Sequence, residues 1–177
     1  PPAGLFARRM GLPVKRFIAA NNANDVFYEY LKTGTYTPRP SMQTIANAMD
    51  VGAPSNFARI LELYHNSHAG ITADISGAAF SDGQIREAVA LCYKADGYLT
   101  DPHGACAWHA LAESLQPGET GLFLETAHPA KFKETIEPVI GAPVSVPPRL
   151  AAFMHGRKQS IPMTNRYNDF RQYLSTL

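Results

Sequence analysis

Asp101 and His103 stand in an Asp-Pro-His-Gly turn, and Thr126 and His128 stand in a Thr-Ala-His-Pro turn. A carboxylate, a hydroxyl and two imidazoles can bind a small polar ligand, cap a helix or ligate a metal. Each turn follows a short apolar run, Gly97–Thr100 or Gly121–Glu125, and precedes a helix-like segment. In an α/β sheet, polar residues just past the carboxyl ends of strands line the ligand crevice. Asp101, His103, Thr126 and His128 are therefore site candidates on position alone. Asn22 joins them, because Asn21-Asn22-Ala23-Asn24-Asp25 follows a third apolar run, Val14–Ala20.

Other readings of these residues compete. Asp101 suits the N-cap of the helix that carries Trp108, and Thr126 suits the N-cap of a segment over His128–Lys131. The asparagines suit the capped start of a helix over Val26–Leu31. Ser55-Asn56 opens a helix over Phe57–Tyr64, with Ser55 as N-cap; such an N-terminus can also hold an anion, because its first N–H groups are unpaired. Asp101, His103 and His128 could serve a metal-dependent hydrolase. His65 and His68 lack an acidic third ligand and any HExxH pattern, so they read as an exposed helix end, where a cation meets the negative end of the dipole.

The elements that must position these residues alternate strand and helix. Ala3–Met10 reads as a helix stopped by Gly11-Leu12-Pro13. Strands are expected over Val14–Ala20, Thr44–Met49, Gly97–Thr100 and Gly121–Glu125. Ile71–Gly77 is weakly patterned. Helices are expected from Phe80-Ser81-Asp82-Gly83 through Lys94, from His103 to Leu115, and from Pro129 to Val139. This order predicts an α/β fold, a three-layer α/β/α arrangement with a mainly parallel sheet. Beyond Gly141 the chain is rich in proline, with short helices expected at Leu150–Met154 and Asn168–Leu174. Residues 1–140 therefore read as part of a large α/β domain, and 141–177 as an extension packed on it.

Composition narrows the function. The 177 residues suffice for one domain with a core, and 45% of them are hydrophobic. A formal net charge of +1 gives no electrostatic footprint for nucleic acid or an anionic membrane. No apolar run approaches the roughly 20 residues of a membrane span. Cys92 and Cys106 form neither a CxxC pair nor a disulfide framework, and read as buried thiols of a cytoplasmic protein.

TAHPAKF after an apolar strand, with DPHGA one unit earlier, resembles threonine synthase, a pyridoxal 5′-phosphate (PLP) enzyme with the fold of the tryptophan synthase β subunit. KRFIAANNANDV, LKTGTYTPRP and NAMDVGAPSNFARI are similar to further segments of that family, in the same order, and the likeness covers roughly residues 4–135. The resemblance implies conversion of O-phospho-L-homoserine and water to L-threonine and phosphate. It implies that Thr126 hydrogen-bonds the pyridine nitrogen of the cofactor, with Asp101 and Asn22 also on the cofactor side. It places Ser55, Asn56 and His103 toward the substrate.

The family's cofactor-bonding lysine lies in a Phe-Lys-Asp motif that does not occur here, and its phosphate-cradling loop falls where Pro1-Pro2 stand. The chain thus reads as the C-terminal part of such an enzyme. It is expected to be inactive alone, with neither nucleic acid nor membrane as a partner. It should expose apolar surface toward the missing N-terminal part, and self-associate through it. A small α/β ligand-binding module is the reading that stands beside the metal hydrolase as the alternative.

Overall fold

A computed structural model of the chain describes residues 2–157 and 159–177; Pro1 and Lys158 lie outside them, and with Pro1 half of the Pro1-Pro2 position. Helix α1 spans Pro2–Arg9, and strand β1 spans Phe17–Asn21. Three helices follow, α2 at Val26–Thr33, α3 at Phe57–Leu63 and α4 at His68–Asp74. Strand β2, Ile75–Ala79, pairs in parallel with β1, from Phe17 opposite Ile75 to Asn21 opposite Ala79. Helix α5 is Asp82–Asp96, α6 is Pro102–Ser114, and a 3-10 turn at Pro129–Phe132 leads into α7, Lys133–Ile140.

Side chains alternate across a strand. Phe17, Ala19 and Ile75 therefore share a face, and they meet Leu5 of α1, Phe27, Tyr30 and Leu31 of α2, Phe57 and Ile60 of α3, and Ile71 of α4 in one apolar core. Aromatic rings fill its middle: Tyr30 meets Phe57 edge-on at 4.7 Å between centroids, and Tyr36 stacks on Phe57 at 4.0 Å. Gly77 lets α2 come close, since a Cβ there would press on Leu31 and Tyr28. Helix α6 lies against both strands and packs on α5, which in turn packs on α7. A capping box closes the start of α5: Ser81 accepts from the Gln84 N–H, and the Gln84 side chain accepts from the Ser81 N–H.

The architecture is α/β with a small parallel sheet, as the alternation of elements predicts. Its strand content differs from expectation. Among the described residues the ladder joins two strands, and three of the four expected runs are not in it. Thr44–Met49 is a closed turn, because Asp50 accepts from the Thr44 N–H at 3.1 Å and the Thr44 hydroxyl at 2.8 Å, taking up the groups a strand would present to a neighbour. Gly97–Thr100 and Gly121–Glu125 run without a ladder partner. They meet through side chains, Tyr98 edge-on to Phe123 at 6.1 Å and the Asp101 N–H on Glu125 at 2.8 Å. The weakly patterned Ile71–Gly77 supplies the end of α4 and most of β2. Its Ser-Gly-Ala composition hides the strand, which is fixed by pairing with β1 rather than by local preference.

The chain divides into two units, Pro1–Ser145 and Val146–Leu177. The second contains α8, Pro148–Met154, and α9, Tyr167–Leu174, and none of its helical residues is buried.

Candidate functional site

Asp101 is fully buried and forms the N-cap of α6. One carboxylate oxygen accepts from the N–H of His103 at 2.6 Å and of Gly104 at 3.3 Å. The other accepts from the N–H of Ala127 at 3.2 Å, so the turn that carries Thr126 is tied to the start of α6. Pro102 occupies the first helical position, where a missing N–H costs nothing. Glu125 faces this cap: its Oε1 accepts from the Asp101 N–H at 2.8 Å, while its Oε2 is buried with no hydrogen-bond partner among the described residues. Burial, and then the Asp101 carboxyl beside it, push Glu125 up to about 8. The same surroundings act on nearby groups. Burial, followed by Asp96 and Glu125, raises the Cys92 thiol to about 11, and burial with Asp101 raises Cys106 to about 12.

A second knot lies just past β1. Asn22 donates to the Thr44 hydroxyl at 2.9 Å and to Asp50 at 3.2 Å, and accepts from the Asn24 N–H at 2.9 Å. Asn24 donates to the Met42 carbonyl at 2.9 Å and to Asp50 at 3.0 Å, and accepts from the Met42 N–H at 2.8 Å. The Asp50 carboxylate thus gathers the loop from Met42 onward over the carboxyl end of β1. That loop reaches α6 through His103, whose Nε2 accepts from the Ala48 N–H at 3.2 Å and whose ring lies edge-on to Phe132 at 5.8 Å. Asn22 and His103 are therefore joined through the loop over residues 44–50, and His103 and the Thr126 turn both through the Asp101 carboxylate.

Thr126 is exposed, and its hydroxyl has no hydrogen bond among the described residues. The capping role considered for it belongs to His128, whose Nδ1 accepts from the Ala130 N–H at 3.1 Å. Ser55 and Asn56 are exposed at the start of α3; Asn56 rather than Ser55 is the N-cap, and its side chain makes no capping bond. No hydrogen bond among the described residues links either of them to the other candidates. His65 takes a left-handed backbone after α3. His68 does not end that helix but begins α4, and its ring lies 3.1 Å from the Tyr30 and Leu31 carbonyls at the end of α2. No group of three His, Cys, Asp or Glu that could hold a metal occurs among the described residues.

Asp50 and Glu125 are the members that sequence reasoning passed over, whereas Asn24 stood in the asparagine run placed after the first strand. Glu125 had a signal, a carboxylate closing an otherwise apolar run. Asp50 had none, since its partners are far along the chain or reached through a turn that reads as a strand. Chemically, the arrangement is a hydrogen-bonded polar rim with two unbonded hydroxyls among the described residues, Thr100 buried and Thr126 exposed.

Comparison with known proteins bears on this rim. The family described as pyridoxal-phosphate dependent enzyme matches residues 3–126, and that described as threonine synthase, C-terminal, matches residues 104–174. The threonine synthase of Haemophilus influenzae is 40% identical over 172 residues, which are 97% of this chain and 40% of the relative. That of Escherichia coli is 44% identical over 149 residues, 84% of this chain and 34% of the relative. The chain thus spans about two fifths of the length of the relatives it matches. The crystal structure of the E. coli enzyme superposes with a TM-score of 0.87 at 38% identity, covering 99% of this chain and 40% of that one. The PLP-bound threonine synthase of Brucella melitensis gives 0.85 at 27% identity, covering 98% of this chain and 43% of that one.

Proposed function

This chain belongs to the pyridoxal-phosphate dependent enzymes and corresponds to the C-terminal portion of the threonine synthases, and from that premise we propose that it supplies one wall of a PLP site. The full-length enzyme would convert O-phospho-L-homoserine and water to L-threonine and phosphate in the cytoplasm. The observation that carries this reading is the exposed, unbonded Thr126 hydroxyl, held on a turn anchored to α6 by Asp101.

The residues present fit the cofactor. PLP supplies an electron sink for carbanions at the substrate. Thr126 would meet its pyridine nitrogen with a neutral hydroxyl. Such a group orients the ring without fixing a positive charge on the nitrogen, as a carboxylate would, and so moderates how strongly the ring draws electrons. Asp101 is spent on backbone N–H groups and acts through the turn it holds. Asn22 stiffens the loop at Asp50, which bounds the same rim. His103 faces that loop and is the candidate nearest to it for a substrate contact. Ser55 and Asn56 remain candidates for a substrate contact at the exposed start of α3.

The lysine that bonds the cofactor would come from the N-terminal part of the same enzyme, as would the phosphate-cradling loop. We therefore expect no turnover from the 177-residue chain alone. Phosphate release from O-phospho-L-homoserine, with PLP added, tests both statements. Turnover by the 177-residue chain above a no-enzyme control would refute its dependence on the N-terminal part. A full-length enzyme that leaves this substrate untouched would refute the proposed activity.

A further inference from the structure

Glu125 Oε2 is buried and has no donor among the described residues, although Oε1 of the same group accepts the Asp101 N–H at 2.8 Å. An ionised carboxylate buried with one oxygen unsatisfied is costly, and no lysine, arginine or histidine among the described residues pairs with it. The titratable groups around it are acids or weak acids: Asp101 at the cap of α6, Tyr98 on the segment before it and Cys92 on α5. The Asp101 carboxylate accepts three backbone N–H bonds at a helix N-terminus, where negative charge is favoured. Gly104 makes the seat: a Cβ at that position would overlap Glu125 Oε2.

We propose that Glu125 is a positioning residue, a neutral carboxylic acid whose Oε2 carries a proton shared with the Asp101 carboxylate, and that this shared proton latches the Thr126 turn to the start of α6. One proton suffices for the pair, because two carboxylates side by side cannot both stay ionised cheaply. The donor satisfies Oε2, and Asp101 keeps its three N–H bonds. Ionisation of Glu125 would set two like charges against each other across the latch, and the Thr126 turn would loosen. This property belongs to the chain itself and stands whatever ligand the Thr126 hydroxyl meets.

The raised acid sets the sign of the pH dependence. Between its ordinary value of 4.5 and its folded value of about 8, the unfolded chain releases the proton that the folded chain keeps. This group's contribution to stability is therefore greatest at low pH, falls through that window, and levels off above it.

The experiment uses the full-length enzyme with Glu125→Gln and Glu125→Ala. Infrared difference spectra between pH 6 and pH 9.5 should show a protonated carboxylic acid in the wild type that titrates near pH 8 and is missing in Glu125→Gln. Gln keeps a donor for Asp101 and does not ionise, so Glu125→Gln should melt at or above the wild type at pH 6 and lose the fall between pH 4.5 and pH 8. Glu125→Ala should melt several degrees lower at pH 6. A carboxylic acid band that survives Glu125→Gln would overturn the proposal, as would a Glu125→Gln protein that melts as low as Glu125→Ala. If Glu125→Ala does not fold, the spectra and the Glu125→Gln melting profile decide the matter alone.

Discussion

Gly104 is small because Glu125 fills the space beside it. Replacing it by alanine forces a Cβ onto a buried carboxyl that is itself anchored to the Asp101 N–H. Overpacking of this kind costs on the order of 1–3 kcal/mol, so Gly104→Ala should lower the denaturant midpoint with little change in slope. An alanine protein as stable as the parent would mean that Glu125 leaves its seat freely. Thr126 poses the opposite case, a hydroxyl that supports nothing in the fold. Thr126→Ala should leave the melting temperature unchanged and, in the full-length enzyme, reduce turnover by about tenfold, the worth of one hydrogen bond of roughly 1.4 kcal/mol. The cofactor should still be retained, since its covalent bond would be made elsewhere; loss of bound PLP on dialysis would contradict the assigned role.

Ion pairs also tie elements of the fold together. Glu119, in the turn after α6, meets Lys15 at 2.5 Å and Arg16 at 2.6 Å, which lie just before β1. Lys15, then the Gln116 N–H and Arg16, hold Glu119 at about 2, well below its ordinary value of 4.5. A depressed carboxylate contributes its stability above the ordinary value and loses it as pH falls through the folded one. Acid melts of the parent and Glu119→Gln should therefore converge between pH 4.5 and pH 2, the parent being the more stable above that window. A constant gap between them down to pH 2 would show that the ion pairs do not hold the turn.

The helices around this clamp were legible in the sequence, because Ser81, Asp101, Pro102 and Gly97 are start and stop signals that act locally. The strands were less so. An apolar run such as Gly121–Glu125 suggests an extended backbone but not a partner, while Ile75–Ala79 carries little pattern and is a strand because β1 lies beside it. The rim followed the same division. Asp101 could be read from its turn, whereas Asp50 collects partners from Asn22, Asn24 and Thr44 that only the folded chain brings together.

At the scale of the whole molecule, large apolar side chains remain uncovered. Leu122 is 84% exposed and Leu124 is 67% exposed on a segment with no ladder partner among the described residues. Unpaired extended backbone and exposed leucines invite association with other chains. Sedimentation of the 177-residue chain should show oligomers that grow with concentration, and Leu122→Lys with Leu124→Lys should reduce them. A monodisperse monomer at high concentration would contradict this surface as the cause of association.

The parallel pairing of β1 with β2 also governs how the molecule reaches its fold. Helices α2, α3 and α4 lie between the two strands in sequence, so no bond of the ladder can form until that whole stretch has closed into a loop. The entropy of closure comes before any reward from pairing. Helices α5 and α6, by contrast, are neighbours in sequence and pack directly on each other. Protection of backbone amides after refolding begins should therefore appear first in α5 and α6 and last in β1 and β2, so that the edge bearing Asn22 is the slowest part of the rim to take shape.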